Sequence, residues 1–165
     1  MAELDYLSIF ADRRIPCGVD NFELTAQEKE EQYVSANQKK EKRGRRGVLA
    51  VNGEDGYPYA IPVNYLYDKE TQKIYFHGAR AGYKVDALRN SDKVCFTVYG
   101  NETVREEAWA PFVQSAVIFG RCHLLDGGPS TMAVLKRFMM KYYPSEQLAE
   151  EEIARSGKAV QLFEI

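Results

Sequence analysis

From Arg46 onward, apolar and polar positions alternate over short distances, the period of half-buried strands. RGVLAVNG, then EDGYPYAIPVNYLYD, then KETQKIYFHG read as three strands. Turn-forming pieces separate them, at Asn52-Gly53-Glu54-Asp55-Gly56 and Asp68-Lys69-Glu70-Thr71. Pro58 and Pro62 place the second run near an edge or a bulge, because proline gives the ladder no N–H. KVCFTVYG, QSAVIFGRCHLLDG and KAVQLFEI are three more strands, with NETVREEAWAPF as a connector. The pattern turns helical over Ala81 to Asn90, with Val85 and Leu88 inward. It does so again in TMAVLKRFMMKYY, opened by Pro129 and stopped by Pro144, and in SEQLAEEEIARSG. Met132, Leu135, Phe138, Met139 and Tyr142 form a core-facing stripe at helical spacing. Closely spaced hairpins with few helices predict a mainly β fold: six antiparallel strands curled into a small barrel, with flanking helices.

Residues 1–45 have a different texture. LTAQEKEEQYVSANQKKEKRG predicts a helix capped by Thr25 with Glu28 three residues on, and stopped at Gly44. Its apolar face is thin, so it is expected to pack on the domain or a partner. The predicted organisation is a helical extension over 1–45 and one domain over 46–165.

Composition narrows the class. With 165 residues, 45% hydrophobic and 28% charged, the chain suits a single cored domain. A net charge of −2 gives no field for nucleic acid, so the basic run KKEKRGRR at 39–46 reads as a solvated helix end. Three scattered cysteines match neither zinc spacing nor a disulfide framework, and no metal site is expected. The N-terminal residues have no signal-peptide character, and every apolar run is too short to span a membrane. The expectation is a cytoplasmic protein without a membrane or nucleic-acid partner.

The chemistry concentrates in YFHGARAGYK, residues 75–84. A strand there passes into a helix whose first N–H groups attract anions. Gly78 and Gly82 permit close backbone approach, and Arg80 and Lys84 bring positive charge. An anion site explains cations at a helix N-terminus, and an ordinary solvated turn explains the same residues. His77 reads equally as a core histidine or a ligand contact.

Taken in order, GVLAVNGEDGYPYAIPVNYLYD, IYFHGARAGYKVDALRNSDKVCFTVYG and SAVIFGRCHLLDG resemble the FMN-binding split-barrel superfamily. Within it, the nitroimidazole-resistance group, related to pyridoxamine 5'-phosphate oxidase, is the nearest likeness. The resemblance covers about residues 46–165 and implies a homodimer with FMN in a groove between subunits. It implies that Lys84 and Arg80 meet the phosphate beside Gly78 and Ala79. Pro62, Val63 and Asn64 would then line the flavin ring, with His77 beside the cofactor as the proton donor. Ser115 of the partner subunit would complete the site, and Trp109 and Phe112 would wall its substrate side. The implied function is an FMN oxidoreductase that reduces a small acceptor such as a nitroaromatic. The alternative is a non-catalytic flavin- or haem-binding protein on the same barrel. The C-terminal substrate-binding segment of a true pyridoxamine 5'-phosphate oxidase is not recognisable, which argues against that reaction.

Overall fold

The computed structural model describes residues 8–10, 46–54, 56–105 and 110–165. The predicted helix over 24–44 and Trp109 lie outside the described residues. Eight strands are present among those described: β1 (Ser8–Phe10), β2 (Arg46–Asn52), β3 (Pro58–Asp68), β4 (Lys73–Ala79), β5 (Lys93–Arg105), β6 (Ala110–Arg121), β7 (His123–Leu124) and β8 (Val160–Glu164). Three helices join them: α1 (Tyr83–Asn90), α2 (Pro129–Tyr142) and α3 (Glu146–Ser156). The six expected strands are the six long ones, and β1 and β7 are added short ones. The described parts of NETVREEAWAPF, 101–105 and 110–112, are strand rather than connector. A bulge between Gly100 and Thr103 absorbs its polar start, and Thr103 and Val104 then pair with Phe112 and Pro111.

All pairings are antiparallel, in the order β1-β6-β5-β2-β3-β4-β8-β7. Only Cys122 separates β6 from β7, yet these strands lie near opposite edges of the sheet. The sheet must therefore curl until its two edges meet. Ile165 extends the β4–β8 ladder by one rung, exchanging backbone hydrogen bonds with Ile74 at 2.9 and 3.0 Å.

Alternation decides which side chains fill the interior. On β2, Gly47, Leu49 and Val51 point inward, while Val48 and Ala50 face out. Gly47 has no side chain because the Phe96 ring occupies the space a Cβ would need. Phe76 and Phe163 stack at the centre, 4.7 Å between centroids and nearly parallel. Burying such rings contributes about 1.5–3 kcal/mol each, so this cluster is a main source of stability.

A second apolar layer lies outside β4 and β8. Tyr75 and Leu162 meet Leu135, Phe138 and Met139 of α2 and Ala149 of α3 there. The expected α2 stripe holds at Leu135, Phe138 and Met139, but Met132 is exposed, because it lies at the helix's N-terminal end beyond that contact. Polar ties fix α2 to β3. Arg137 pairs with the buried Asp68 at 3.0 Å, and the Tyr142 hydroxyl both accepts from Tyr65 N at 2.8 Å and donates to Tyr65 O at 2.7 Å.

Candidate functional site at a fork in the sheet

β3 serves two partners. From Pro58 to Asn64 it pairs with β2, and from Tyr65 to Asp68 it pairs with β4. Beyond Phe76, β4 continues as His77, Gly78 and Ala79, pairing with β8 alone. The β3–β4 ladder therefore opens into a fork between Asn64 and His77, the next positions in its register. Pro62, Val63 and Asn64 lie on one arm, and His77, Gly78 and Ala79 on the other. These six expected cofactor residues form the two lips of one cleft.

The second arm runs into Arg80, Gly82 and α1. Gly82 adopts φ +116°, a left-handed conformation that favours glycine, and caps α1 without any side-chain hydrogen bond. Val85 and Asp86 donate to the Gly82 carbonyl at 2.8 and 3.2 Å, which sets the first turn. The helix end thus presents its positive pole beside two cations. Tyr83 steadies it from the other side. Its hydroxyl accepts from Glu54 N at 3.2 Å, and its ring meets Tyr59 edge-on at 4.9 Å.

Lys84 folds inward from α1. Its Nζ sits 5.1 Å from the Phe163 centroid and 5.8 Å from that of Phe76. A Cβ on residue 78 would collide with that Nζ, so Gly78 makes room for the lysine. Burial lowers the Lys84 pKa. Burial in turn pushes the Cys122 thiol up to about 12, which keeps it protonated. Arg80 is exposed at the mouth, where a Cβ on Gly127 would lie 3.9 Å from its Nη2.

Strand alternation sends His77 the other way. Ile74, Phe76 and Gly78 face the barrel, whereas Tyr75 and His77 face α2. The imidazole meets Phe138 edge-on at 4.8 Å and borders a cavity of about 210 Å³. Its Nδ1 is buried without a hydrogen-bond partner, which costs about 1–3 kcal/mol. Burial, then the charge of Lys84, lowers its pKa, so the ring is neutral near pH 7.

The remaining expected residues stand apart. Val63 is buried inward, while Pro62 is exposed on the outer face. Ser115 is exposed and opposite Tyr99 on β6, three strands from β3, roughly 14 Å at the usual strand spacing. Phe112 lies opposite Thr103 on the long β5–β6 hairpin. Within one chain, neither residue joins the fork. Sequence reasoning missed the aromatic seat of Lys84, because no local signal links Phe163 to a lysine 79 positions earlier.

The outer face of the sheet is apolar across four strands. Pro62, Val48, Thr97 and Val117 form one row, and Ala60, Ala50, Cys95 and Phe119 the next.

Similar proteins share this architecture. The chain is similar to a protein from Bacteroides thetaiotaomicron VPI-5482 named for 5-nitroimidazole antibiotic resistance, with TM-score 0.62 and 15% identity over 99% of this chain and 87% of that one. It is also similar to an FAD- and haem-binding protein of Mycobacterium smegmatis, with TM-score 0.59 and 16% identity over 76% and 62% of the two chains. An FAD-binding protein of Mesorhizobium loti gives 0.51 and 21% over 79% and 86%. No curated protein sequence matches. At these identities the likeness is one of fold. The sequence profile of the pyridoxamine 5'-phosphate oxidase family matches residues 42–162, nearly the whole described barrel, and the chain belongs to that family.

Proposed function

We propose that the fork binds FMN and that the protein is an FMN-dependent oxidoreductase acting on a small acceptor, with a nitroaromatic as the first class to test. One observation carries this reading: the split between β3 and β4 opens directly onto a glycine-rich helix start with Arg80 and Lys84 beside it. That is one seat for one phosphate, which suits a mononucleotide. Family membership and flavin-binding proteins of the same fold support a flavin as the cofactor.

In this reading Arg80 and the α1 N-terminus meet the phosphate, and Lys84 adds a charge-assisted contact from within. The β3 arm at Pro62–Asn64 carries free backbone edge along which a planar ring can lie. Bound flavin supplies the redox chemistry, accepting and passing on an electron pair. The protein orients it and excludes water. Neutral His77 is better suited to hydrogen bonding than to storing a proton, since giving up its one N–H would leave an imidazolate.

A homodimer through the apolar outer face would bring Ser115 and Phe112 of the partner subunit toward the fork. It would also cover the rows centred on Val48 and Ala50. The proposed setting is the cytoplasm; no helix among the described residues is long and apolar enough to cross a membrane. Titrating FMN into the protein, followed by flavin fluorescence, tests the reading. Saturable 1:1 binding that weakens in Lys84→Ala supports it, and no binding in the wild-type chain overturns it.

A further inference from the structure

The cavity between β3, β4 and the helices α2 and α3 lies on the opposite face of β4 from the Lys84 seat. We infer that it is a second small-molecule site, for a neutral single-ring aromatic bearing a hydroxyl group. The inference does not rest on flavin binding at the fork.

Size sets the first limit. About 210 Å³ exceeds the 150 Å³ that accepts benzene, so one ring with small substituents fits within the cavity, which is open to solvent on one side. Chemistry of the wall sets the second. Leu135, Phe138 and Met139 of α2, with Ile153 and Val160, make most of the lining apolar. Phe138 and Tyr142 supply ring surfaces, and the Tyr142 hydroxyl is already committed to Tyr65.

Polarity at the strand end sets the third. Asn64 and His77 reach the cavity side by side across the fork. His77 Nδ1 is shut off from the cavity, which leaves Nε2 as the ring nitrogen that reaches it, donor or acceptor according to the tautomer. A hydroxyl both donates and accepts, and so it suits either tautomer. A carboxylate does not suit this site. The imidazole carries no charge to pair with it, and the acid Glu152 lines the same cavity, its own charge answered by Arg155. An ammonium group would need desolvation without a full counter-charge.

Calorimetric titration of the full chain with 4-methylphenol, toluene and benzoate tests this. Saturable 1:1 binding of 4-methylphenol is expected, about fivefold tighter than toluene for one net hydrogen bond, with benzoate undetected. His77→Phe should reduce 4-methylphenol to the toluene level and leave toluene unchanged. Ile153→Trp, which fills the cavity from α3, should abolish both. Equal affinity for 4-methylphenol and toluene in the wild-type protein would overturn the inference. So would tighter binding of benzoate, or binding that survives Ile153→Trp in a folded protein. The wild-type comparison of the three probes decides the matter even where a variant fails to fold.

Discussion

At the residue scale, Lys84 has the most unusual surroundings. Among the described residues no carboxylate pairs with it, and two aromatic faces and a thiol surround its ammonium group. A charge held this way is poorly compensated until an anion arrives. Lys84→Ala should therefore weaken FMN about 10- to 100-fold, as expected for a lost hydrogen bond to a charged group of about 1.5–3 kcal/mol. Two glycines separate packing from function. Gly47→Ala drives a Cβ into the buried Phe96 ring and should cost about 1–3 kcal/mol in urea unfolding. Gly78→Ala meets only the flexible end of Lys84, so stability should change little while FMN affinity drops. His77 gives a pH signature. Its folded pKa lies below the unfolded value of 6.5, so the unfolded chain binds more protons between the two. Stability should be full above pH 6.5 and fall as pH drops through the lower folded value. In His77→Phe that segment of the stability–pH curve should flatten; an unchanged slope would remove His77 as its source.

Elements explain why the site was only half legible in the sequence. The six long strands follow from period-two alternation, and the helical pattern over Ala81 to Asn90 found α1, which begins two residues later at Tyr83. The lips of the fork could be listed from the resemblance, but the fork itself could not. It depends on β3 changing partners at Asn64, and pairing is a property of two strands, not of one. The direction of His77 was likewise hidden. In IYFHGA, Tyr75 and His77 alternate with Ile74 and Phe76, but both faces carry bulky packing side chains, so alternation did not show that the His77 face is covered too. Only the α2 contact, with Phe138 against the ring, tells the faces apart. The Asn101-Glu102 pair looked like a loop because a bulge uses the same polar residues. Helix α2 is also tied down by charge. Asp68 is buried and Arg137 half-exposed, so removing the arginine leaves a buried carboxylate without a counter-charge, held only by the Glu70 N–H and Thr71. Arg137 holds the Asp68 carboxyl below its ordinary value, so this stabilisation is present above about pH 4 and lost as pH falls below it. Arg137→Ala should cost about 1–3 kcal/mol at pH 7, less at pH 3, by chemical denaturation.

On the scale of the whole molecule, the sheet curls into an open barrel, and among the described residues its outer face carries one broad uncharged patch. Tyr99 stands 63% exposed beside it, and the rows running from Pro62 to Val117 and from Ala60 to Phe119 offer a flat, uncharged surface. A second copy placed there would bury that surface and supply Ser115 to the neighbouring fork. Ala50→Glu puts a charge in the centre of the face. It should shift light-scattering mass from dimer to monomer and weaken FMN in the same variant. A wild-type protein that is monomeric at high concentration would contradict the shared-site arrangement. The most direct test of the central claim is the visible spectrum of the purified protein, with mass analysis of what denaturation releases. The account predicts oxidised-flavin absorption and the mass of FMN. A haem spectrum, or a colourless protein that takes up no added FMN, would contradict it.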